Sequence, residues 1–135
     1  MYNYLKENRT KVLFIPLVIY WIIILIGTTI PADSFVDTWE ISDKIKHFVA
    51  YFGLAILLGL NLHFQERWKK ISLYYIIATL VICLTYGVLD ELHQLFVPNR
   101  MAEFWDWVAD SLGTITGLLV VSVFLQKIIK KKVVM

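Results

Sequence analysis

The sequence predicts an all-α integral membrane bundle of four transmembrane helices, with both termini in the cytoplasm and residues 1–135 forming one domain. Three observations lead there. The composition is 59% hydrophobic and only 18% charged, whereas soluble domains average about 45–50% apolar and about 25% charged. A soluble chain this short buries too little surface to hide so much apolar side chain. The apolar residues form four stretches of membrane-crossing length, and the basic residues gather in alternate connections between them.

The stretches are Val12–Ile30, Ile45–Phe64, Ile71–Leu89 and Trp107–Leu125, each of 19 or 20 residues. At about 1.5 Å of rise per residue, about 20 residues cross a hydrocarbon core of about 30 Å. They are expected to be helices, because lipid offers no partner for free backbone N–H and C=O groups. The first carries no charge; Pro16 near its start points to local packing or a mild kink. Its length, with no A-x-A-like site after it, reads as an uncleaved helix rather than a signal peptide. The second holds Lys46 and His47 near its start and His63 near its end; the third is uncharged; the fourth is interrupted by Asp110. No internal repeat or low-complexity tract is present. Cys83, the single cysteine, forms no internal disulfide and reads as a small apolar core residue.

Cytoplasmic loops collect Lys and Arg. Lys6, Arg9 and Lys11 precede the first stretch, Arg67, Lys69 and Lys70 follow the second, and Lys127, Lys130, Lys131 and Lys132 follow the fourth, leaving only Lys44, Lys46 and Arg100 on the other side. This distribution predicts the amino and carboxyl ends inside. The basic tail reads as a topology anchor at the inner leaflet, and nucleic acid is not an expected partner. The acids fall opposite: Asp33, Asp37, Glu40, Asp43, Asp90, Glu91, Glu103, Asp106 and Asp110 lie outside or near the outer interface.

Three segments bring ionisable groups to that side. Asp43, His47 and Tyr51 are spaced four apart, on one face of the second helix. Ser42 or Asp43 can cap that helix. On the third, Asp90 and Gln94 share a face with Tyr86 one turn below, Glu91 flanks it, His93 sits to the side, and the helix is expected to run from Ile71 to Val97 and stop at Pro98. Arg100 follows, a natural partner for a carboxylate or a phosphate. Asp106 opens the fourth helix, where it can serve as an N-cap, and Asp110 lies one turn inside the apolar stretch. Gly113 and Gly117 extend the Asp110 face in a small-xxx-small spacing that admits a neighbouring helix closely. Trp105 and Trp107 fit an interfacial belt.

Polar groups within a membrane are expensive and face the bundle interior or a wet cavity. Acids, a histidine and an arginine at one depth suit proton transfer, metal binding or phosphate recognition. No G-x-S-x-G, P-loop or H-E-x-x-H motif narrows the choice. His47, Asp90, Glu91 and His93 carry ligating atoms, but no recognised metal-ligand spacing occurs; no metal or other cofactor is assigned.

S-D-K-x-x-H-F-x-x-Y at Ser42–Tyr51, Y-G-x-x-D-E-x-x-Q at Tyr86–Gln94, then Arg100 and the D-W pair Asp106–Trp107, in that order, resemble the VanZ-like family. The likeness runs from the first span to the last. One departure is Asp110, where the family pattern often has Asn. The resemblance implies a multi-pass protein of the bacterial cytoplasmic membrane, in a family whose founding member is associated with resistance to the glycopeptide teicoplanin, a drug class that binds lipid-anchored cell-wall precursors. By motif match the family's polar positions fall on Asp43, Lys44, His47, Tyr51, Asp90, Glu91, Gln94, Arg100 and Asp106.

Three functions compete. In an enzyme, Arg100 and Lys44 hold an anionic group of a lipid-linked envelope molecule, while His47 with Asp90 or Glu91 supplies acid–base chemistry; Tyr51, Gln94, Asp43, Asp106 and Asp110 complete the binding surface. In a binder, the same cleft captures an envelope lipid, a glycopeptide or a partner protein. In a structural role, the polar groups only fix helix packing. A transporter is disfavoured, since no pair of broken helices is visible. The sequence does not fix the oligomeric state.

Overall fold

The computed structural model describes residues 1–31 and 43–134, with side chains placed as far as Lys131. The elements are α1 (Tyr2–Glu7), a π-helical turn (Thr10–Phe14), α2 (Ile15–Thr29), α3 (Asp43–Phe64), α4 (Lys69–Leu73), α5 (Tyr75–Gln94) and α6 (Phe104–Val134). Four helical spans are long and apolar enough to cross a membrane: Thr10–Thr29, Asp43–Phe64, Tyr75–Gln94 and Phe104–Lys131. The described residues contain no strand.

The first span changes pitch where the sequence places Pro16. Proline has no N–H to donate and its ring crowds the carbonyl four residues back, here that of Val12. The chain widens into a π turn over Thr10–Phe14 and resumes as α2, with the proline in its first turn.

The third apolar stretch is not one helix. Lys69–Leu73 forms a separate short helix, and Tyr74, with φ −101° and ψ 31°, breaks the ladder before α5. The far end is also shorter than expected, since α5 stops at Gln94 rather than reaching Val97. Two tighter bonds, Phe96 N–H to the His93 carbonyl and Val97 N–H to the Gln94 carbonyl, close it. Asn99 then takes φ 59°, a left-handed conformation that asparagine tolerates better than most residues. Pro98 sits inside this turn, not at the helix end.

The helix pair α3–α6 is the backbone of the bundle and makes the most extensive contact. Its cause is the predicted glycine pair. A Cβ on Gly113 would strike the Phe48 carbonyl oxygen, and one on Gly117 would stand 2.6 Å from the Phe52 carbonyl oxygen. Only hydrogen at both positions lets the two backbones meet. Tyr51, Leu54, Ala55, Leu58 and Cys83 pack with Leu17 and Ile24 of α2 in one core, and Cys83 is fully buried as expected. Leu13, Phe64, Val121, Leu125 and Ile128 form a second core near the chain ends. There α1 packs against α6, so the amino end lies beside the carboxyl-terminal helix.

Candidate functional site

At the end of the bundle opposite the termini, α3, α5 and α6 concentrate the buried ionisable side chains. His47, Asp90, Glu91, Gln94, Asp106 and Asp110 are all buried. The spacing of four on α3 turns His47 and Tyr51 inward, with Asp43 exposed above them. Ser42, the other candidate cap, lies outside the described residues.

At its centre His47 meets Asp110, with Nδ1 3.0 Å from Oδ1. Glu91 Oε1 stands 3.8 Å from the same nitrogen. The sequence pairs His47 with Asp90 or Glu91; the structure adds Asp110 as its nearest carboxylate. The departure from the family pattern therefore falls at the centre of the cluster. A Cβ on Gly87 would lie 3.1 Å from Asp110 Oδ2 and 3.1 Å from the Trp107 ring, so this glycine makes room for both.

The second Glu91 oxygen, Oε2, accepts the backbone N–H of Glu103 at 2.9 Å, just ahead of α6. A carboxylate there satisfies an orphan donor and complements the positive end of the helix. Asp106 is the third residue of α6 rather than its cap. Its carboxylate lies 3.4 Å from Lys44 Nζ, which also bonds Glu103 Oε2 at 2.8 Å. Trp107 does more than mark an interface, since its indole N–H donates to the Leu84 carbonyl at 3.2 Å and ties α6 to α5. Trp105 remains exposed.

Arg100 spans the gap to α2. Nη2 donates to the Gly27 carbonyl at 3.1 Å, Nε to the Ile30 carbonyl at 3.3 Å, and Nη1 stands 3.7 Å from Asp43 Oδ2. The carbonyls at a helix C-terminus lack partners within the helix, and a guanidinium satisfies them. Lys46 stands 3.8 Å from the other Asp43 oxygen.

Several buried polar atoms meet no hydrogen-bond partner: both Asp90 oxygens, Glu91 Oε1, Asp110 Oδ2, Gln94 Nε2 and the Tyr51 and Tyr86 hydroxyls. Buried polar groups are nearly always satisfied by protein or by ordered water; Asn61 Nδ2 and both His63 ring nitrogens, at the opposite end, are also without a protein partner. His93 is only half-buried, as its position to the side implies.

A cavity of about 390 Å³ adjoins these groups. Its polar end is formed by Thr28, Asp43, Lys46, His47, Asp90 and Arg100, and its remaining wall by Tyr20, Ile23, Ile24, Gly27, Val49, Ala50 and Tyr51. Ile23 and Val49 are more than half exposed, so the apolar wall opens sideways to the bundle's exterior. Glu91, Gln94, Asp106 and Asp110 lie behind it rather than on it. The contribution of α2 was not legible in an uncharged apolar run. Tyr20 and Thr28 were its only hints: the Tyr20 hydroxyl donates to the Ala50 carbonyl at 3.2 Å, and Gly53 leaves room for that ring.

The sequence model of a family described as VanZ/LLP1 matches residues 3–125. No curated protein and no solved structure matches.

Proposed function

The chain belongs to the VanZ/LLP1 family, and from the cleft it builds we propose that it acts at the outer face of the bacterial cytoplasmic membrane on a lipid-linked, phosphate-bearing envelope molecule. One observation carries this reading. The cavity is amphiphilic, polar at the His47–Asp90–Arg100 end and apolar along Ile23, Ile24 and Val49, with its apolar side open where lipid would lie. A lipid chain fits along α2 and α3 while its headgroup meets the polar end. The outer placement follows from the positive-inside rule applied to Lys6, Arg9, Lys11, Arg67, Lys69, Lys70, Lys127 and the basic tail.

His47 and Asp90 are the acid–base candidates facing the cavity. One accepts a proton from the attacking water or hydroxyl, and the other returns one to the leaving oxygen. Asp110 and Glu91 orient the imidazole from behind. Arg100 and Lys44 engage the anion only by exchanging contacts they already make. A purely structural network is disfavoured by the unpartnered Asp90, Glu91 and Asp110 oxygens, which such a network would satisfy. A non-catalytic binder of an envelope lipid, glycopeptide or partner protein uses the same cavity.

The test is teicoplanin susceptibility of a sensitive bacterium expressing the chain, with His47→Ala and Asp90→Ala at matched membrane abundance. Protection by the wild type and its loss in both variants supports action on the glycopeptide's target. No protection by the wild type removes the drug link. Retained protection in Asp90→Asn and His47→Gln replaces catalysis by binding.

A further inference from the structure

This end of the bundle carries more acidic than basic side chains. Among the described residues at this end, Asp43, Asp90, Glu91, Glu103, Asp106 and Asp110 face Lys44, Lys46, Arg100 and the two histidines His47 and His93. Residues 32–42 add no Lys or Arg. The basic groups are also engaged: Arg100 by two carbonyls and Asp43, Lys44 by Glu103 and Asp106. A phosphate entering such a cleft meets carboxylates with little free positive charge to hold it.

We infer that His47, Glu91 and Asp110 form a binding site for one divalent cation, of the Zn²⁺ or Mn²⁺ class. One ligating atom from each residue lies within 4.8 Å of the others, and all three residues are buried. With metal–ligand distances of about 2.1 Å, neighbouring ligands are about 3.0–3.4 Å apart and opposite ones about 4.2 Å. The His47 Nδ1–Asp110 Oδ1 separation of 3.0 Å is that of neighbouring ligands, and Glu91 Oε1, 3.8 Å from the same nitrogen, needs only a shift of a few tenths of an ångström to join them. The independent sign of a ligand is that Glu91 Oε1 and Asp110 Oδ2 are buried without any hydrogen-bond partner. Asp110 is fully buried and Glu91 only 8% exposed. A mixed imidazole–carboxylate set suits Zn²⁺ and Mn²⁺ better than Ca²⁺, which takes oxygen ligands in greater number.

The inference deepens the proposed headgroup reading and rests on it only for its purpose: bound behind the polar end, with His47 as the ligand that lines the cavity, the cation adds positive charge that the cleft's own bases do not have free. With the ion bound, His47 serves as a ligand instead of an acid–base group, and Asp90, which lines the cavity, is left both to take the proton and to return it to the leaving oxygen.

The experiment uses the purified full chain in lipid nanodiscs, stripped with chelator and titrated calorimetrically with Zn²⁺ and, separately, Mn²⁺. Saturable binding of one ion per chain is expected. Asp110→Asn and Glu91→Gln, which keep side-chain size, should each weaken it at least tenfold, while Glu66→Gln at the other end leaves it unchanged. Absence of saturable binding overturns the inference, as does equal affinity in the Asp110→Asn/Glu91→Gln double variant. Should a variant fail to fold, Mn²⁺ magnetic resonance on the wild type decides: coupling to a histidine nitrogen supports the site and its absence overturns it. Binding of a short-chain phosphatidic acid, with and without metal, separates the two readings. Lipid binding that ignores metal leaves the headgroup reading standing and removes the cation. A bound cation without lipid binding does the reverse.

Discussion

The first and last spans, α2 with its π turn and α6, are both strongly apolar, yet they are used in opposite ways. Of the most apolar stretch of the first span only 17% is buried, against 44% for the last. Ile19, Ile22, Ile23 and Ile26 of α2 are all about half exposed. In α6 the inward positions are Asp106, Ala109, Asp110, Thr114, Leu118 and Val121. In water the more apolar helix would be the better buried. In lipid apolar side chains have nothing to gain by burial, and small and polar residues decide which faces meet. Contacts between these helices are therefore read from glycines, threonines and acids as well as from the leucines of the two cores, while the isoleucines of α2 other than Ile24 face outward.

Breaking that comparison at its strongest point means filling a glycine. Gly113→Leu forces a branched side chain into the Phe48 carbonyl. Overpacking costs about 1–3 kcal/mol even where side chains can give, and a backbone carbonyl gives less. The expected result is loss of folded protein from the membrane, read by size-exclusion profile and thermal unfolding in detergent. Arg100→Ala comes next, since it frees the Gly27 and Ile30 carbonyls and unties α2 from the α5–α6 turn. Hydrogen bonds to charged groups contribute about 1.5–3 kcal/mol, so a clear drop in melting temperature is expected, together with loss of any lipid-headgroup binding. Trp107→Phe removes one interhelical hydrogen bond to Leu84. Such bonds average about 0.6 kcal/mol in membranes, so the shift in unfolding should be small but measurable. Ile22→Ala, on the exposed face of α2, should move stability by less than about 0.5 kcal/mol. If it cost as much as Arg100→Ala, that face would be covered by another protein surface.

A labelling experiment sharpens the comparison of the two ends. Phe96, 87% exposed on the turn after α5, becomes a cysteine reporter in a Cys83→Ser background. Reaction with a membrane-impermeant thiol reagent in intact cells is expected at Phe96→Cys and absent at Glu66→Cys beside the opposite-end Lys6 ion pair. The reverse pattern would invert the proposed orientation and move the cleft to the cytoplasmic side.

The spans could be read without coordinates, because the penalty on free backbone groups in lipid makes a charge-poor stretch of about 20 residues a helix. The Gly113–Gly117 contact was readable for a similar reason: spacing of four puts both on one face, and only a close neighbour needs them bare. The inward turn of His47 and Tyr51, one turn apart, follows the same rule within a single helix. Where a local rule met a competing one, the reading failed. The Tyr74 break interrupts a stretch whose hydropathy is continuous, and the residues after Gln94 are apolar although the helix has ended. Hydropathy records preference for lipid and does not record where the backbone ladder stops.

The sequence by itself determined four spans, the face of each helix that carries polar groups, and the end at which those groups collect, since period and length are properties of one segment. Only the tertiary structure decided which groups meet. It put Asp110 rather than Asp90 against His47, spent Arg100 on the carbonyls of α2, turned Glu91 toward both His47 and the start of α6, and made an uncharged first helix one wall of the cavity. These pairings depend on the rotation and depth of one helix against another, which interhelical packing fixes and no single segment encodes.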